Sequence, residues 1–160
     1  MITTDTHVYF WNGLYSNWDN CHFEDFLTGE RFKNSEQAFM WYKADTFGDR
    51  DIRTAIQRTS NPKEVKELGR QVKNFNEEVW NNVRFDKMVY VNELKFTQNP
   101  YYGQTLKNTG NRILVEASPY DKIWGVGLLE TDPLILDEKN WTGLNLLGKA
   151  LMEVREKHFK

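Results

Sequence analysis

Asn34-Ser35-Glu36-Gln37-Ala38-Phe39-Met40-Trp41-Tyr42-Lys43-Ala44 is the stretch where the chain changes period. Before it, short β-type runs are separated by turn residues. Residues 7–11 (His-Val-Tyr-Phe-Trp) read as a first strand, and residues 22–26 and 31–33 flank Thr28-Gly29 as a hairpin. From Asn34 onward the pattern is mostly helical. Asn34 caps a helix whose third position is Gln37, a variant of the capping box, and that helix runs over about 35–46. Glu36, Met40 and Lys43 fall at i, i+4 and i+7 and so share one face.

The same signals recur downstream. A second helix covers about 49–58, with Ile52, Ala55 and Ile56 inward. Asn61-Pro62-Lys63-Glu64 supplies a cap, a first-turn proline and an acid, and that helix ends near Gly69. A long helix follows over 77–96, anchored by Val79, Trp80, Val83, Val91 and Leu94. Asn99-Pro100 opens a shorter one that Asn108-Thr109-Gly110 ends. The last helix spans about 144–157, with Leu144, Leu147, Leu151 and Val154 as its buried stripe. The expected fold is therefore mainly α (α+β). It is one multihelical domain over residues 1–160, with a small antiparallel sheet built from the early strands and residues 113–117. Residues 130–140, with Pro133 and several acids, read as a mobile loop.

Bulk properties exclude several classes. The net charge is −2, which gives no broad electrostatic grip on nucleic acid and leaves room only for a local basic pocket. A single cysteine, Cys21, excludes a disulfide framework and a cysteine zinc site. His7, His22 and His158 lack metal-ligand spacing, so no metal and no cofactor are expected. No apolar run spans a membrane, and no basic-then-apolar leader opens the sequence, which points to a cytoplasmic setting. Motifs for P-loop, dinucleotide-fold or serine-hydrolase chemistry are missing.

Two places concentrate chemistry. Glu36 sits in the first turn of its helix amid Ala38-Phe39-Met40-Trp41-Tyr42. A first-turn acid complements the helix dipole, and an apolar setting also desolvates it. Lys43 on the same face is either a solvated lysine, a partner for Glu36, or a cation for a phosphate or ring carbonyl. The second place is Glu116-Ala117-Ser118-Pro119-Tyr120-Asp121-Lys122-Ile123-Trp124-Gly125-Val126-Gly127. Asp121 can cap the turn after Pro119 or supply a charge or proton, and Trp124 can fill a core or stack on a ring. Gly125 and Gly127 allow a close backbone approach. Ser16-Asn17 forms a turn or holds ribose hydroxyls. Trp141-Thr142-Gly143-Leu144-Asn145 opens the last helix, where Thr142 caps it or the helix start receives an anion.

These motifs, in this order, resemble the NADAR (YbiA-like) family. They are Tyr15-Ser16-Asn17, Asn34-Ser35-Glu36-Gln37-Ala38-Phe39, Tyr42-Lys43-Ala44, Glu116-Ala117-Ser118-Pro119, Asp121, Trp124-Gly125-Val126-Gly127 and residues 145–155. The resemblance spans about residues 10–155. It implies a mostly helical fold with a small sheet and N-glycosidase chemistry. The substrates it implies are phosphoribosylamino-pyrimidine intermediates of riboflavin synthesis or ADP-ribosylated bases, notably guanine. ADP-ribosylated nucleic acid is thus a second candidate partner beside a small ribosylated molecule. A non-catalytic module that binds ADP-ribose or a related nucleotide is the alternative. Carried over by motif, Glu36 and Asp121 would be catalytic. Ser16, Asn17, Lys43, Glu116, Trp124, Gly125 and Asn145 would bind substrate or brace the site. Arg31 and Lys33 add charge ahead of Glu36, which leaves substrate choice open.

Overall fold

The computed structural model describes all 160 residues. In chain order the elements are β1 (Ile2–Thr3), β2 (His7–Phe10), β3 (Phe23–Asp25), β4 (Glu30–Phe32), α1 (Ser35–Thr46), α2 (Arg50–Gln57), α3 (Pro62–Arg70), α4 (Glu77–Gln98), α5 (Pro100–Asn108), β5 (Ile113–Glu116) and α6 (Leu146–His158). Two 3-10 turns, Pro133–Leu136 and Glu138–Asn140, precede α6. The fold is α+β, with six helices and two small sheets. The chain forms two compact units, one of Asn17–Asn99 and one of Met1–Ser16 with Pro100–Lys160.

In the Asn17–Asn99 unit, α1 is the axis. It packs on α2, α3 and α4, and its residues from Ser35 through Tyr42, with Ala44, are buried. Asn34 caps it through a 2.8 Å bond from Gln37 N. Gln37 does not close a capping box onto Asn34. Its Oε1 accepts from Lys33 N (2.8 Å) and its Nε2 donates to Ile56 O and Thr59 O, which ties the hairpin and the end of α2 to α1. In the antiparallel β3–β4 pair, Phe23 faces Phe32 and Asp25 faces Glu30. Asp25 is buried beneath the turn, where it accepts bonds from Leu27 N, Tyr42 OH and Tyr90 OH. In α4 the anchors differ from expectation. Trp80 and Val91 are buried, but Val79 is exposed, and Met88, Val89 and Phe96 complete the inward face. Val79 lies in the first turn of α4, where Glu77 and Glu78 are exposed as well.

In the other unit, β1 and β2 run antiparallel, but β2 and β5 run parallel, with His7 opposite Ile113 and Phe10 opposite Glu116. The sheet is thus mixed, where the sequence suggested an antiparallel one; antiparallel pairing is confined to β1–β2 and the hairpin. The reason is connection length. About a hundred residues and five helices separate β2 from β5, so the pairing is free of the constraint a tight hairpin imposes. Tyr9, Val115, Ala117, Val126 and Ile135 form the core. The 130–140 segment holds the two 3-10 turns, with Ile135 buried and its carbonyl bonded to Trp141 Nε1 at 2.8 Å. Leu147, Ala150, Leu151 and Val154 of α6 are buried, and the helix packs on β5. Leu144 lies ahead of the helix and is exposed.

Candidate active site

Glu36 occupies the second position of α1 and is buried at 8% exposure. Its N–H donates to Asn17 O at 2.9 Å, which fixes the turn at Asn17 against the helix start. Asn17 Oδ1 and Ser35 Oγ are buried beside it with no hydrogen-bond partner. Lys43, two turns along, is half-buried, and its ammonium lies over the Phe75 ring, 4.7 Å from the centroid. Burial holds its pKa below the usual lysine range. The charge of Arg70 adds to that shift, while Glu36 opposes it. Asn17, Glu36 and Lys43 thus belong to one neighbourhood of the Asn17–Asn99 unit.

Two further residues of that neighbourhood, Arg70 and Phe75, were not singled out from sequence. The available signal was Gly69. It is the penultimate residue of α3, where a Cβ would collide with Met40 Sδ, so a larger residue there would displace the Met40 side chain between α1 and α3. An open hollow of about 640 Å³ borders Phe75, but its walls are Glu77, Glu78 and three asparagines of the α4 start. That acidic hollow contains none of the predicted site residues.

The remaining predicted residues gather in the other unit, around the end of β5. Ser118 Oγ accepts from Tyr120 N and Asp121 N. Asp121 Oδ1 accepts from Ile123 N (2.9 Å) and Trp124 N (2.8 Å), so this carboxylate does cap the turn after Pro119. Trp124 is half-buried. Gly125 is a close approach: a Cβ there would lie 2.8 Å from Asp121 O and 3.0 Å from Glu116 O. Glu116 O accepts from Val126 N at 3.0 Å, which closes the loop back onto the strand. Ser16 is buried in a turn onto Gly13 O, at the edge of the same unit.

Asn145 is the joint of this unit. It is buried in the left-handed region at φ 54°, its Oδ1 accepts from Glu116 N (3.0 Å), and its Nδ2 donates to Leu114 O (2.9 Å). Its side-chain amide thereby pairs with β5 as a strand would. The start of α6 is not the anion site the sequence allowed, nor does Thr142 cap it. The cap position is Asn145, and the N–H groups of Leu144, Asn145, Leu146 and Leu147 donate to the carbonyls of Lys122, Gly125, Ile123 and Trp124. Those donors are the ones an anion would need.

The fold and these motifs define a class, and comparison with known proteins identifies it. The sequence model of the NADAR domain matches residues 9–158, and the chain belongs to that family. It is 40% identical to "N-glycosidase R617" of Acanthamoeba polyphaga mimivirus, over 98% of this chain and 99% of that protein. It is 32% identical to "Riboflavin biosynthesis protein PYRR, chloroplastic" of Zea mays, over 82% of this chain and 20% of that protein. The NMR structure of the E. coli protein YbiA superposes with a TM-score of 0.77 at 27% identity, covering 98% of this chain and 86% of that one.

Proposed function

We propose that this protein is an N-glycosidase that hydrolyses the C1′–N bond joining a ribose to a base. The observation that carries the reading is the 40% identity to a named N-glycosidase over nearly the full length of both chains. The substrate is a ribosylated base. It is either an early pyrimidine intermediate of riboflavin synthesis, in line with the name of the maize relative, or ADP-ribosylated guanine. A cytoplasmic location fits one buried cysteine and the absence of any helix long and apolar enough to cross a membrane.

Breaking the C1′–N bond develops positive charge on the sugar and negative charge on the departing base. A carboxylate against the sugar lowers the first, and a cation or proton donor lowers the second. Glu36 is assigned the carboxylate that steadies the sugar and directs water, with Asn17 and Ser16 at the ribose hydroxyls. Lys43 is assigned the offset of negative charge on the leaving group or on a phosphate. In the other unit, Trp124, whose backbone N–H donates to Asp121 Oδ1, is assigned the stacking on the base, and Asp121 the part of a second carboxylate. Glu116, Gly125 and Asn145 brace that bend.

The test is release of free base, followed by mass spectrometry, from a phosphoribosylamino-pyrimidine and from an oligonucleotide carrying ADP-ribosylated guanine. Release from either establishes the glycosidase and selects the substrate. Binding of ADP-ribose with no base released from either overturns the reading in favour of a binding module.

A further inference from the structure

Trp11 directly follows β2, and Tyr120 lies a few residues beyond β5. The parallel pairing of those strands delivers both residues to the same edge of the sheet. Ala117 N–H donates to Phe10 O at 2.7 Å, which carries the pairing up to the residue before Trp11. Tyr120 follows Pro119, and its N–H donates to Ser118 Oγ at 3.3 Å. The backbone under both side chains is thus fixed, and their rings meet, with centroids 6.2 Å apart and planes tilted by 51°. The pair nevertheless stays open: Trp11 is 41% exposed and Tyr120 86%. Large apolar side chains scattered singly over a surface need no explanation. Two that touch, brought together from distant parts of the chain, make a flat surface with few torsions left to fix on binding.

What suits that surface is small and planar. A protein partner needs about 800 Å² on each side, more than two rings offer. A nucleobase needs only one aromatic face. A base within a nucleic-acid strand would bring phosphates that a chain of net charge −2 does not attract broadly, so the ring is one that the substrate carries itself.

We propose that Trp11 and Tyr120 form a stacking shelf for the adenine of an ADP-ribosyl group. The proposal rests on the glycosidase reading and chooses between its two substrates. A phosphoribosylamino-pyrimidine has one base, the one that leaves, whereas ADP-ribosylated guanine keeps a second on the sugar side. Tyr120 immediately precedes Asp121, whose Oδ1 accepts from Trp124 N at 2.8 Å, so the shelf is continuous with the bend assigned to the departing base. Trp124 takes the ring that departs, and the shelf takes the ring that stays with the sugar.

The experiment titrates ADP-ribose and ribose 5-phosphate into the full-length protein by calorimetry. It uses wild type, Trp11→Ala, Tyr120→Ala, Tyr120→Phe and, as a control on another exposed ring, Tyr101→Ala. Loss of either shelf ring is expected to weaken ADP-ribose binding by roughly 5- to 100-fold, the range of base–aromatic stacking. Ribose 5-phosphate, which carries no base, should keep its wild-type affinity. Tyr120→Phe keeps the face and should bind ADP-ribose as wild type does, as should Tyr101→Ala. Wild-type affinity for ADP-ribose in both alanine variants of the shelf, with circular dichroism showing them folded, overturns the proposal. An equal loss for ADP-ribose and ribose 5-phosphate also overturns it, because the effect then belongs to a disturbed bend. So does a wild type that binds ADP-ribose no more tightly than ribose 5-phosphate. Absence of base release by a wild type whose ADP-ribose binding depends on both rings would sink the glycosidase reading alone, because the titrations need no turnover.

Discussion

The bend after β5 and the outer end of α1 use similar side chains for different work. In the bend, polar atoms are spent on backbone: Ser118 on two N–H groups, Asp121 Oδ1 on two more, and both ends of the Asn145 amide on β5. Around α1, charged groups accumulate that the backbone does not use in this way, with Lys43 above a ring and near both Glu36 and Arg70. The first arrangement makes a ledge for Trp124, and the second keeps a reserve of charge beside α1. Aspartate and asparagine suit the ledge because they are short and cap turns. Longer lysine and glutamate suit the reserve because their charge sits away from the helix that carries them.

If the contrast holds, the largest effect belongs to Glu36. Glu36→Gln keeps the shape and removes the charge, and kcat is expected to fall by roughly 10²–10⁴-fold with the fold intact. Near-native turnover would erase the functional half of the contrast. Asn145→Ala attacks the ledge instead. It leaves Glu116 N and Leu114 O without partners, and urea unfolding should report a loss of about 2–5 kcal/mol, at about 1–3 kcal/mol per buried unsatisfied group. A loss below about 1 kcal/mol would show that β5 does not depend on this amide.

A third test sharpens the comparison through pH. Lys95 of α4 is fully buried, and desolvation pulls its pKa down to about 8, against smaller opposing influences from Cys21 and Asp19. The unfolded chain therefore takes up this proton below about pH 10.5, while the folded chain takes it up only near 8. Stability should therefore increase by up to about 3 kcal/mol as pH rises from about 8 to about 10.5, and this contribution should be flat on either side of that window. Denaturation midpoints across that window should slope more steeply in wild type than in Lys95→Met. Equal slopes would remove Lys95 as the source.

The smallest effects separate bracing from charge at Asp121. Asp121→Asn keeps an oxygen for Ile123 N and Trp124 N, so stability should hold while turnover drops. Asp121→Ala should additionally cost about 1 kcal/mol, as for a lost cap. Wild-type turnover in Asp121→Asn would confine this residue to the ledge.

Local signals were legible in the chain: caps at Asn34 and Asn61, the Thr28-Gly29 hairpin, and the stripe of Leu147, Leu151 and Val154. What periodicity could not carry was pairing at a distance. The parallel partnership of β2 and β5 leaves no trace in either strand's own residues. Asn145 looked like part of a helix start because its strand-like bonding depends on a backbone some thirty residues away. Arg70 escaped notice because its charge acts on Lys43 of a different helix. Gly69, where the sequence placed the helix end, is the penultimate residue of α3 and also marks a contact with Met40.

The parallel pairing of β2 with β5 also sets an order on synthesis. A chain emerging from the ribosome has β2 long before β5 exists, so His7–Phe10 waits without its edge partner while α1 through α4 are made. The Asn17–Asn99 unit, whose contacts are complete once residue 99 has emerged, is free to condense first. During that interval the nascent molecule holds a short apolar strand that has no β5 to pair with, a segment a holding chaperone could cover.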